Sequence, residues 1–178
     1  KEFAKKLKKN NQNDIVGVYV GNNSAAHDFD KSRNFYIKNI FKFKSNLIIN
    51  LFTKKEDEIL KSNKVRENFF GQVEDYLIPL VLKSANFGIV TLNRKLITQN
   101  IPGKLISYLQ FNLPVLSFTN KNSSVSLLML EHDFGINIDL NENKVSNMMK
   151  MELFIKRIEG NYYKYQSLKL FQKLFSTD

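Results

Sequence analysis

Two hydrophobic patterns alternate along this chain. Largely apolar runs stand at residues 15–20, 46–52, 86–92, 113–118 and 134–139, and they predict buried strands. A shorter run at 68–70 predicts one more. Between the runs, apolar residues recur at helical spacing. Residues 29–43 predict a helix with Phe29, Phe35, Tyr36, Ile40 and Phe43 facing inward. Short helices are expected at 1–10, 54–62, 76–84 (capped by Glu74 or Asp75) and 125–131. The tail predicts helices at 142–158 and 161–175, split by Gly160. Strands that are apolar throughout, alternating with helices, call for a parallel sheet covered on both faces. The expected fold is a Rossmann-like, doubly wound α/β domain. It has about six strands, helices on both faces and further helices at the C-terminus. With no repeat and no proline- or serine-rich linker, residues 1–178 read as a single domain.

The stretch 100–118 concentrates the chemistry. Pro102 fits the first turn of a helix, where its missing N–H costs nothing. Leu105, Ile106, Tyr108 and Leu109 give that helix an apolar face, and Asn112 can end it in a left-handed conformation. The helix start offers open N–H groups, close approach at Gly103 and positive charge at Lys104, which suits a diphosphate. A second candidate is the loop 21–24 that follows the first strand. Gly21 and Asn22 lie there, where open α/β sheets bind ligands. Read without a ligand, the same loop is a plain strand-to-helix turn.

Composition narrows the chemistry. There is no cysteine, so disulfides, thiolate metal sites and a cysteine nucleophile are excluded. His27 has only its neighbour Asp28 as a carboxylate partner, and His132, between Glu131 and Asp133, lacks metal-ligand spacing. No metal is expected. No run reaches the length of a membrane span, and a soluble, cytoplasmic chain is expected. The net charge of +10 and pI near 9.6 fit a phosphorylated ligand, an anionic membrane surface, a nucleic acid or simply a solvated surface. No recognition helix or RNA-binding motif supports the nucleic acid. Tyr162, Tyr163, Lys164 and Tyr165 form a basic aromatic cluster for a membrane, a partner domain or internal packing.

Pro102-Gly-Lys-Leu-x-x-Tyr-Leu followed by Leu113-Pro-Val-Leu resembles the donor-site helix of GT-B glycosyltransferases of group 1 (family 4). Tyr19-Val-Gly-Asn-Asn, Phe69-Phe-Gly-Gln-Val73, Ala85-Asn-Phe-Gly-Ile-Val and Gly135-Ile-Asn-Ile are similar, in order and spacing, to other segments of the C-terminal half of those enzymes. The resemblance implies a domain that binds a nucleotide-sugar donor, such as a UDP- or GDP-sugar, for metal-independent transfer to an acceptor. It implies that this chain is the donor half alone, inactive without an N-terminal acceptor domain. Surface polysaccharide or glycolipid synthesis in bacteria, at the inner face of an anionic membrane, is the pathway expected from family habit.

On the resemblance, Lys104 would neutralise the diphosphate, and Val73 would lie near the base. Lys31 and Arg33 fall where the family's phosphate-binding Arg/Lys pair stands; without it they are surface charges on a helix. Ser107 would offer one hydrogen bond or be a small residue at a helix surface, and Tyr108 would be core or pocket wall. The chain departs from the family at Gln99 and Ser107, where many members carry a glutamate pair. That departure leaves room for a non-catalytic nucleotide-binding domain of the same fold.

Overall fold

Each apolar run becomes a strand enclosed on both sides. The computed structural model describes residues 3, 7, 13–21, 28–43, 46–53, 67–97 and 99–175, with the side chains of 40–43 set aside. Most of the expected helix at 1–10, the one at 54–62, Asn22, His27 and the side chains of Ile40 and Phe43 lie outside the described residues. The strands are β1 (Ile15–Val20), β2 (Leu47–Phe52), β3 (Glu67–Phe69), β4 (Phe87–Thr91), β5 (Val115–Phe118) and β6 (Gly135–Ile138). They pair in parallel in the order β3-β2-β1-β4-β5-β6. This is the strand order of a Rossmann fold.

Helices α1 (Phe29–Phe43), α2 (Ile78–Lys83), α3 (Gly103–Gln110), α4 (Ser124–His132), α5 (Lys144–Glu159) and α6 (Gln166–Phe175) cover the two faces. One core joins Tyr19, Ile49, Phe87 and Phe118 of the sheet to Phe29 and Tyr36 of α1 and to Met151 and Phe154 of α5. The other joins Val18, Val90 and Val115 to Val81 of α2, Leu105 and Tyr108 of α3, Val125 of α4 and Leu170 of α6. Neighbouring residues of β1, Val18 and Tyr19, serve opposite cores because strand side chains alternate between faces.

Three local expectations need correction. Neither Glu74 nor Asp75 caps a helix over 76–84. A 3-10 turn, Asp75–Leu77, comes first, and Glu74 makes no side-chain capping bond. Pro79 is the cause: it has no N–H to give to the fourth carbonyl back, so a regular helical ladder cannot run through 75–79. The last helix starts at Gln166, not at 161, because Asn161 and Tyr165 take left-handed backbones (φ 53° and 70°). The third strand lies one residue earlier than expected, which brings Glu67 into the ladder opposite Ile49. Asn112 does adopt the left-handed conformation (φ 55°) that follows α3.

Candidate functional site

Strands β1 and β4 are neighbours from which the chain winds outward in opposite directions. Ligands of open α/β sheets bind in the crevice beyond the strand ends at such a point. Gly21 follows β1 there, and α3 starts in the connection from β4 to β5.

Tyr108 fixes α3 to this place. Its fully buried ring lies on Gly88 of β4, where an added Cβ would stand 2.4 Å from the ring. Its hydroxyl accepts from Val20 N at 3.1 Å, and lies 3.3 Å from the Ile89 carbonyl and 3.4 Å from that of Val18. Burial pushes the phenol's pKa well up, against a weaker downward pull from the Val20 N–H, so it is a neutral anchor. The loop before α3 is held from the other side. Asn120 donates to the Arg94 carbonyl (2.9 Å), and Ser124 Oγ to that of Asn100 (3.3 Å). Asn137 in turn steadies this region: its side-chain oxygen accepts from Ser117 (2.6 Å) and Thr119 (2.9 Å), and its amide donates to Ser126 (3.1 Å).

With α3 so placed, Lys104 crosses the end of the sheet. It belongs to the helix on one face, yet its ammonium donates to the hydroxyl of Tyr19 (3.3 Å), a residue of the opposite core. The same ammonium lies 4.5 Å from the centre of the Tyr19 ring, which itself packs on Phe29 at 4.2 Å. Gly21 leaves room for the crossing, since a Cβ there would be a tight 3.1 Å from Lys104 Nζ. None of the ion pairs among the described residues includes Lys104. Burial without a counter-charge lowers its pKa from 10.5 to about 8. Burial also raises the Tyr19 phenol to about 12, so it cannot supply the missing negative charge near neutrality. Beside this cation, Gly103 opens α3 with no atom within 4 Å of where a Cβ would be, and the N–H groups of Gly103 and Lys104 have no backbone acceptor among the described residues. A partly buried cation beside open N–H groups is chemically suited to an anion.

The structure therefore brings Gly21, Gly103 and Lys104 together. Arg33 has a different setting. Its guanidinium is enclosed and bonds Glu67 through Nε (3.0 Å) and Nη2, and Tyr36 donates to the same carboxylate at 2.7 Å. Lys31 is exposed and pairs with Asp28 at 3.3 Å. Ser107 Oγ donates back along its helix to the Gly103 carbonyl (3.3 Å), Gln99 is exposed, and Val73 packs partly against the second core. Sequence reasoning did not single out Tyr19 as the seat of Lys104. Its one signal was an aromatic two positions before the strand-end glycine. Among the described residues no group of His, Asp and Glu is placed to hold a metal, and no helix is long and apolar enough to cross a membrane.

No family model and no curated protein sequence matches this chain. Solved structures do. WaaG, a glycosyltransferase involved in lipopolysaccharide biosynthesis, aligns with a TM-score of 0.65 at 12% identity, over 99% of this chain and 51% of its own. Sucrose-phosphate synthase from Thermosynechococcus elongatus gives 0.68 at 13% identity, over 98% of this chain and 45% of its own. The catalytic domain of cholesterol-alpha-glucosyltransferase from Helicobacter pylori gives 0.62 at 13%, over 88% and 98%. The chain spans about half the length of the first two. At these identities the likeness is one of fold: this chain shares the Rossmann-like α/β architecture found in GT-B glycosyltransferases.

Proposed function

We propose that this chain is the nucleotide-sugar-binding unit of a GT-B glycosyltransferase, corresponding to its donor half. The observation that carries the reading is Lys104, a partly buried ammonium at the switch-point crevice with no acidic partner among the described residues. A sugar nucleotide's diphosphate supplies the missing counter-charge. Negative charge also grows on the leaving diphosphate as the sugar departs, and a fixed cation with aimed N–H groups stabilises that state more than the ground state. The acceptor site and the remaining catalytic groups belong to a second domain. Surface polysaccharide or glycolipid assembly is the proposed context.

The test is a thermal-shift and calorimetric screen of the chain against UDP, GDP, ADP and their sugar conjugates. One nucleotide should raise Tm in a concentration-dependent way, and Lys104→Ala should abolish the shift. Absence of any shift across the panel, checked by calorimetry, would overturn donor binding by this chain.

One observation favours a second reading. Gln99 and Ser107 offer no carboxylate, and Ser107 spends its hydroxyl on Gly103. A nucleotide-binding domain without transferase activity fits those two residues. Gln99→Glu together with Ser107→Glu should then raise donor affinity several-fold; unchanged affinity would remove the reason for this reading.

A further inference from the structure

A second basic recess lies at the opposite end of the sheet. It is a cavity of ≈ 380 Å³ between the end of α2, the turn after α3 and the turn from α5 to α6. Lys83, Arg157 and Lys164 line it, and no Asp or Glu among the described residues does. Arg157 shares its charge with Asp133 at 3.1 Å and with the ring of Tyr162 at 4.4 Å. Lys83 and Lys164 have no carboxylate partner among the described residues. Two asparagines add neutral donors to the wall. The side-chain oxygen of Asn86 accepts from Val16 N (2.9 Å) and that of Asn112 from Leu168 N (3.1 Å), so each amide is held one way round. Their NH2 groups are left without an acceptor among the described residues. The recess thus combines three cations with two oriented amide donors.

From this we infer a second anion site, distinct from the Lys104 crevice, that takes a phosphate group through Lys83, Lys164, Asn86 and Asn112. A carboxylate-free recess of this size admits a phosphate monoester with a small organic group attached, and charge-assisted bonds to phosphate oxygens are the strong kind. The phosphate comes either from a soluble phosphorylated compound or from a phosphomonoester lipid headgroup. The site does not depend on nucleotide binding at Lys104.

The experiment is an amide-resolved NMR titration of the Lys104→Met chain with inorganic phosphate and glycerol 3-phosphate, so that the crevice cannot contribute. It is paired with sedimentation on phosphatidylcholine vesicles with and without phosphatidic acid. Saturable shifts at the Asn86 and Asn112 side-chain amides, reduced at least tenfold in affinity by Lys83→Gln with Lys164→Gln, establish the site and a soluble ligand. Both lysines are exposed, so those variants leave the fold intact. No such shifts, but vesicle binding that needs phosphatidic acid and is lost in the same double variant, establishes the lipid source. Shifts or binding that survive the double variant, or the absence of both, overturn the proposal. Failure here leaves the nucleotide screen on the unsubstituted chain unaffected, and the reverse also holds.

Discussion

Gly21 holds open the space that the Lys104 ammonium occupies: a Cβ at this position would stand 3.1 Å from Nζ. The backbone there has φ +144°, a conformation residues other than glycine rarely adopt. Gly21→Ala therefore strains the strand end by about 1–3 kcal/mol and displaces the cation. The expected outcome is a modest fall in Tm with a larger, tenfold or greater loss of nucleotide affinity, read by calorimetry. A variant that loses stability but binds nucleotide as before would show that the position of Lys104 is unimportant to the ligand.

The setting of Lys104 also makes binding depend on pH. Its ammonium releases its proton near pH 8 when folded and near 10.5 when unfolded. Well below pH 8 both states are protonated, and the folded state bears the cost of an enclosed charge. Between about 8 and 10.5 the unfolded chain holds more protons, so this group's contribution to stability becomes more favourable as pH rises. Anion binding runs the other way, since it needs the charged form. Nucleotide affinity should be near its plateau at pH 7, fall about twofold by pH 8 and approach a tenfold fall per unit above about pH 9. The terminal phosphate, with its second pKa near 6, is already ionised throughout this range. Calorimetry between pH 7 and 9.5 checks this, and Lys104→Arg, which keeps its charge, should flatten the profile.

Gly88 is the sheet position on which the ring of Tyr108 rests. An alanine Cβ would be 2.4 Å from ring carbon Cδ2, with both residues enclosed in the core. Overpacking of this kind costs about 1–3 kcal/mol. It also lifts the helix that carries Lys104, so Gly88→Ala should lower the urea midpoint and weaken nucleotide binding together. Tyr108→Phe, which keeps the ring and removes the hydroxyl beside Val20 N, should cost less, about 1 kcal/mol.

The fold was legible because its strands are buried on both faces. Runs such as 15–20 and 47–52 contain hardly a polar residue, and only a parallel sheet between helices explains that. The place of Lys104 in the first turn of a helix was legible too, because proline followed by glycine marked that helix start. What the pattern could not show were partners brought together by topology. Tyr19 and Lys104 are 85 positions apart, and they meet only because β1 lies next to β4. Arg33 looked like a surface charge or a phosphate ligand because its counter-ion, Glu67, lies 34 positions away on an edge strand only three residues long.

That pair supplies a test of whether Arg33 serves the fold or the ligand. Both side chains are nearly fully enclosed, at 4% and 7% exposure, and Tyr36 gives a third bond to the carboxylate. The pair ties α1 to β3, at the edge of the sheet. Arg33→Met leaves a buried carboxylate with a single phenol for company, and losing one partner of such a pair costs about 3–5 kcal/mol. Glu67→Leu takes away the carboxylate that receives the guanidinium and should also be destabilising. Replacing both removes the two charges together, so Arg33→Met with Glu67→Leu should cost far less than the two singles combined. The loose end is the Tyr36 hydroxyl, which Tyr36→Phe in the same background removes. Urea unfolding of the four chains gives the coupling energy. Calorimetry of the double variant then decides the role of Arg33. Nucleotide affinity within about twofold of the original assigns Arg33 to holding α1 on the sheet. A tenfold loss in a chain of near-original stability would return it to the donor site beside Lys104.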